Sequence, residues 1–131
     1  MRYLLIHKLD ESLPEAWNPS PEFIEQMGAF MGEVASSGVL LAAEGVHKSD
    51  EGAIVRKAGG GLSVTDGPFS EAREVIGGFA LINVDSKEQA LDLAKRFADM
   101  FSEVSVEVRR VFEEEDLAAY QAEQEQAGTA S

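Results

Sequence analysis

The 131-residue chain contains no cysteine, so it can form no disulfide and offers neither a thiolate metal ligand nor a thiol nucleophile. Histidine is nearly as scarce: His7 and His47 are far apart and match no metal-ligand spacing. Basic residues are also few. Lys and Arg total 11 against 24 Asp and Glu, giving a formal net charge of −13. Nucleic-acid and anionic-membrane binding depend on Lys and Arg replacing counterions at phosphates, so neither partner is expected. No apolar run approaches the ~20 residues of a membrane span, and the opening MRYLLIHKLDES is too weakly apolar for a signal peptide; a cytoplasmic protein is expected. The triplet Gly59-Gly60-Gly61 is followed by no Lys-bearing helix and is no phosphate loop, and no cofactor or metal is implied.

The residues that are present are strongly patterned. RYLLIHKL is apolar on both faces, as in a strand covered from two sides, and His7 shares a face with Tyr3, Leu5 and Leu9. Ser20-Pro21-Glu22 combines a capping hydroxyl, a first-turn proline and an acid, which start a helix. Phe23, Met27, Phe30, Met31 and Val34 recur on its inner stripe, and Gly38 stops it. VLLAAEGV reads as a second strand, running parallel to the first. From Ala53 the period becomes two, and AIVRK and LSVTD flank the glycine triplet as a hairpin. GGFALINVD is a further strand, Ser86 to Gln89 a capping box, and Ala90, Ala94, Phe97 and Phe101 a second helical stripe. SEVSVEVRRVF closes the sheet. After it, residues 117–131 form a tail that begins as a helix and frays beyond Tyr120.

The order is β-α-β, hairpin, β-α-β: an α+β, ferredoxin-like sandwich with additional hairpin strands, spanning residues 1–116. Val104, Val106 and Val108 alternate with Ser105, Glu107 and Arg109, so the aliphatic set belongs under the helices. Tyr3, Leu5, Phe79 and Leu81 are then expected on the uncovered face, too apolar to stay wet. A homodimer is expected, with a partly polar cavity between the two sheets.

The stretch VTDGPFSEAREVIGGFALINVDSKEQALDLA, with MRYLLIHK before it and SVEVRRVFEEED after it, resembles the YCII-related family in its DGPF-domain branch. The resemblance runs from about Met1 to Asp116 and implies a dimeric α/β barrel. It also implies a choice of settings. Some DGPF proteins are encoded beside sigma factors, and a related member is a dehydrochlorinase. The other branch carries a proposed catalytic His on the first helix and an Asp before its terminal glycine. Alignment on Gly38 puts Met27 and Ser36 at those places, so that pair is not inherited.

The DGPF corner itself has two readings. Gly67 permits an unusual φ, Pro68 fixes the next one, the Asp66 side chain can cap free backbone N–H groups and Phe69 can anchor in the core, which together make a rigid strand-ending turn. Alternatively, the corner presents Asp66, Glu71, Arg73 and Glu74 at a cavity mouth, where burial raises a carboxyl pKa toward acid–base work. In an enzyme acting by elimination or isomerisation, Asp66 or Glu74 would take a proton and His7 or His47 would return it. Arg109 would hold an anionic group of a small organic acid, with Arg73 and Phe69 beside it. The alternative is a non-catalytic ligand- or partner-binding regulatory module. His7 as a packed core residue, His47 as a solvated one and Arg109 as an interface ion pair are the structural counterparts of those assignments.

Overall fold

The computed structural model describes residues 1–69 and 72–129. Six strands and three helices follow one another as β1 (Arg2–Leu9), α1 (Pro21–Ser36), β2 (Leu40–Gly45), β3 (Ala53–Ala58), β4 (Gly61–Asp66), β5 (Val75–Asn83), α2 (Lys87–Ala98), β6 (Ser105–Arg110) and α3 (Glu114–Thr129). The four longer-range strands form one sheet in the order β2-β5-β1-β6, and every neighbouring pair is antiparallel. β1 and β2 therefore run in the same direction with β5 between them, the split β-α-β arrangement expected from the pattern. β3 and β4 form a separate two-stranded sheet rather than extending the main one. Among the described residues, no helix is long and apolar enough to cross a membrane.

Local chemistry sets the element ends. The Ser20 hydroxyl accepts the Phe23 N–H at 3.1 Å and Pro21 opens α1. Ser86 accepts the Gln89 N–H at 3.2 Å, while the Gln89 side chain reaches back to Asp85 N–H at 2.9 Å, one residue before the cap. Gly59 and Gly60 take φ of 58° and 82° in the hairpin turn, a region closed to most side chains.

The register decides which side of the sheet is covered. Leu5 lies opposite Val108 and His7 opposite Val106, so Tyr3, Leu5, His7 and Leu9 share the face of Val106 and Val108. Tyr3, Leu5, Ile82 and Val84 pack with Ala90 and Ala94 of α2 in the central cluster. This corrects the expected placement of Tyr3 and Leu5 on the uncovered face: they lie beneath the helices. Leu4 and Ile6 lie on the other face, in register with Leu81 and Phe79. Phe79 and Leu81 are thus on the face expected for them. Lys8, Glu107 and Arg109 share that face as an ion-pair chain, with Glu107 accepting from Lys8 at 2.9 Å and from Arg109 at 3.0 Å.

α3 continues to Thr129 rather than ending at Tyr120. Its start is tied down, since Arg2 makes a bidentate pair with Glu113 at 2.8 and 3.0 Å and Arg110 pairs with Asp116 at 2.9 Å. Beyond that turn Leu117 and Tyr120 are exposed.

The DGPF corner is fastened to a distant segment. A single 3-10 turn at Ser49–Glu51 lies against it, and a side chain at Gly67 would place its Cβ 1.6 Å from the Ser49 carbonyl oxygen. Buried Ser49 is the junction: its backbone N–H donates to one Glu11 carboxylate oxygen at 3.0 Å and its hydroxyl donates to the other. The same hydroxyl accepts the Phe69 N–H at 2.8 Å. The Gly67 N–H goes to the Gly52 carbonyl at 2.9 Å. Asp66, expected to cap these groups, is exposed, and Ser49 and Gly52 take that role. Ser49→Ala removes the junction and leaves Phe69 N–H and the Glu11 carboxylate short of partners; a loss of about 1–3 kcal/mol in chemical denaturation is expected. An unchanged midpoint would show that the junction carries no stability.

Candidate functional site

Packing of the helices on the sheet is uneven. At the end that holds Tyr3 and Val84, the small Ala90 and Ala94 let α2 approach closely. At the other end the floor of the sheet is made of Ala43, Gly45, Gly77 and Ala80, which have almost no side chain, whereas α1 presents Phe23, Met27, Phe30 and Met31. Small groups below and long ones above leave a cavity of about 950 Å³ between α1, α2 and the sheet. Val34, near the C-terminus of α1, is the buried residue of that helix, so α1 is anchored at one end and stands over the cavity at the other.

His7 occupies the cavity floor. Its imidazole lies 5.2 Å from the Phe97 ring and 5.9 Å from Phe101, and Phe101 is edge-on to Phe23 at 4.9 Å. The ring fits because β5 carries glycine beside it. A Cβ at Gly77 would meet His7 Nε2 at 2.5 Å, and one at Gly78 would meet the Glu44 carbonyl oxygen at 2.6 Å and His7 Cε1 at 2.8 Å. Among the described residues, no hydrogen bond reaches either imidazole nitrogen. Burial lowers the His7 pKa below its ordinary value of about 6.5, so the ring is neutral near pH 7. One ring nitrogen then donates and the other accepts.

A second unpaired polar group is buried in the wall around this space. Trp17, just after the short Pro14–Ala16 turn, lines the cavity, and its buried indole N–H has no partner among the described residues. A buried donor of this kind costs free energy until it is satisfied. The cavity is thus largely apolar with a few polar residues on its wall, His7 among them, an arrangement common to small-molecule sites.

Of the residues proposed from sequence, His7 lines this cavity and the others lie elsewhere. Asp66 ends β4, exposed, and Phe69 is half-buried near Gly52, its Cζ 3.7 Å from where a Cβ there would sit. His47 is exposed in the loop after β2, and Arg73 is exposed near Asp10. Glu74 accepts from the Ser105 hydroxyl at 3.0 and 3.1 Å. Arg109, opposite Leu4, is on the other face of the sheet from His7. Glu71 lies outside the described residues. Since His7 faces the helices, it does not line a cavity between the sheets of two subunits, which corrects that expectation. Met27 borders the cavity, whereas the Ser36 hydroxyl donates to the Gly32 carbonyl at 2.8 Å and is no part of it. Among the described residues, no three His, Cys, Asp or Glu side chains gather as a metal site.

Sequence reasoning missed Trp17, Asp10 and the glycine slot. A lone tryptophan between two prolines was the available signal for the first, and GG beside a strand that pairs with His7 for the last.

The family is shown by comparison with known proteins. The YCII-related domain matches residues 1–115, and the chain belongs to that family. It is also similar to an uncharacterized protein of Rhizobium meliloti (strain 1021), 30% identical over 97 residues that cover 72% of this chain and 78% of the relative.

The slot has a direct test. Gly77→Ala should destabilise by about 1–3 kcal/mol through the clash with His7. In a His7→Ala background most of that loss should disappear, because the obstructing atoms closer than Leu9 Cδ2, at 3.0 Å, belong to the imidazole. Equal losses in both backgrounds would show that the slot is not what Gly77 provides.

Proposed function

We propose that this YCII-family protein binds a small, largely apolar organic molecule between its helices and sheet and moves a proton on it with His7. The observation that carries this reading is a neutral, desolvated imidazole without a protein partner on the floor of a large apolar cavity. A single base suffices for an isomerisation: His7 takes a proton from carbon and returns it to another carbon of the same molecule. Elimination is open to the same base: His7 takes the proton, the C–H electron pair becomes the new double bond, and the leaving group departs with the electron pair of its own broken bond to carbon. The DGPF corner stays in this proposal as a support. Through Ser49 and Glu11 it holds the loop that runs from Asp10 toward Trp17.

Ligand binding without turnover is the second reading. It is favoured by α3, an acidic helix with Leu117 and Tyr120 exposed, which suits contact with another protein in a regulatory setting.

Trp17 is the one tryptophan in the chain, so its fluorescence reports on the cavity. Titration with 1-hexanol or 1-octanol should shift the emission, and Ala80→Leu, which fills the floor, should abolish the shift. No response in the native protein would remove the ligand-binding reading. Turnover is tested with 3-cyclohexenone, whose conversion to the conjugated isomer raises ultraviolet absorbance. The rate should exceed that of buffer, persist below pH 6.5 because the His7 pKa is lowered, decline once the ring protonates, and vanish in His7→Gln. A rate that survives His7→Gln would refute the role given to His7, and binding without any rate would favour the second reading.

The proposal includes a homodimer formed across the outer sheet face. Leu4, Ile6, Leu81 and the exposed Phe79 and Ile76 give that face its apolar character, and the hairpin adds exposed Val55, Leu62 and Val64. Sedimentation should give a dimer at micromolar concentration and a folded monomer for Phe79→Asp; a native monomer would overturn this part.

A further inference from the structure

We propose that the ligand of this cavity is an apolar molecule carrying a cationic amine. The inference rests on the ligand-binding reading above and adds the charge that the site selects. Apart from His7, the ionisable residues lining the cavity are Asp10, Glu22, Glu44 and Glu103, and no Lys or Arg is among the described lining residues.

Glu44 is in register with Phe79 and so turns its side chain to the outer face, which leaves three acids, from separate parts of the chain, at one end of the fold. Asp10 follows the last residue of β1, Glu22 is in the first turn of α1 and Glu103 shortly precedes β6. The register pairs Lys8 with Ser105, which brings the end of β1 beside the start of β6. The described lining of the open end therefore carries acids and no Lys or Arg, while exposed Arg73 stands outside the lining near Asp10. Ser12 donates its hydroxyl and its backbone N–H to Asp10 at 2.6 and 2.9 Å, which, with a smaller contribution from nearby Arg73, keeps that carboxyl below its ordinary pKa and ionised.

A carboxylate ligand would approach like charges with no compensating cation on the wall. Arg109, which an organic acid would need, faces the other side of the sheet. An ammonium group instead meets acids at the mouth and, farther in, the neutral acceptor nitrogen of His7. The rings of Trp17, Phe23 and Phe101 add cation–π attraction along the way. The apolar remainder of the molecule fills the space over Gly77 and Ala80.

Three probes of one shape separate charge from shape: 2-phenylethylamine, 2-phenylethanol and 3-phenylpropanoate, titrated near neutral pH while the Trp17 indole and His7 ring signals are followed by NMR. The amine should bind at least about tenfold more tightly than the carboxylate. The double variant Glu22→Gln/Glu103→Gln should weaken the amine by about threefold or more and leave the alcohol unchanged. A carboxylate that binds as tightly as the amine would overturn the inference. So would an amine advantage that persists in the double variant, because it would then arise from the net charge of the whole chain. If the alcohol binds and the amine does not, the charge assignment fails while the cavity stands; if none of the three perturbs Trp17 or His7, both fall.

Discussion

The steric fit of His7 against a strand that carries glycine beside it is the constraint on which the rest of this molecule turns. β1 and β5 are neighbours, and at the height of His7 their side chains would ordinarily compete for the same space. Gly77 and Gly78 remove that competition, and the imidazole lies where a Cβ would otherwise project. The same absence of side chains, repeated at Ala43, Gly45 and Ala80, keeps the floor low beneath α1. The groove that lodges the histidine and the cavity above it thus have one cause, the run of small residues across β2 and β5.

That cause also explains why the sandwich is packed at one end and open at the other. Where Ala90 and Ala94 face the sheet, the small residues are on the helix and the large ones, Tyr3, Leu5 and Ile82, are on the strands, so the layers interlock. At the open end the order is reversed on one side only. Phe23, Met27 and Phe30 face glycine and alanine across a gap too wide for them to fill, and the aromatic cluster of Phe23, Phe97 and Phe101 closes the space laterally instead. Arg96, paired with Glu33 at 2.5 Å and lying 4.9 Å over the Phe30 ring, ties α2 to α1 across this region.

Much of the fold was legible because its signals are local. Ser20, Pro21 and Ser86 mark helix starts by hydrogen bonds within three residues, Gly59 and Gly60 mark the hairpin, and the alternation of Val106 and Val108 with Glu107 and Arg109 assigns the faces of β6. The face of β1 was not legible in the same way. Leu4 and Ile6 are as apolar as Tyr3 and Leu5, so periodicity cannot choose between them, and only the pairing of Leu5 with Val108 decides. The site was less legible still. His7 could be named from its strand, but its partners Phe97 and Phe101 and its slot at Gly77 arrive from ninety and seventy positions away, roughly, through tertiary packing that no spacing rule records. The charge-rich corner drew attention because its residue types are unusual, and the structure puts its backbone, not its carboxylates, to use.

That use answers why so rigid a turn stands between a hairpin and a central strand. Ser49 binds three things at once: its own 3-10 turn, the Phe69 N–H of the corner and the carboxylate of Glu11. Glu11 is adjacent to Asp10, whose carboxylate is itself fixed by Ser12, and this loop leads to Trp17. A displacement of Gly67 toward Ser49 is blocked by contact with the carbonyl, so the corner and the Ser49 turn cannot move closer together. The mouth of the cavity is therefore positioned from outside the helical sandwich, by a hairpin that contributes nothing to the main sheet. On this view the tetrapeptide fixes the loop that carries Asp10 and β5 fixes where the histidine lies, so the two halves of VTDGPFSEAREVIGGF both border one cavity.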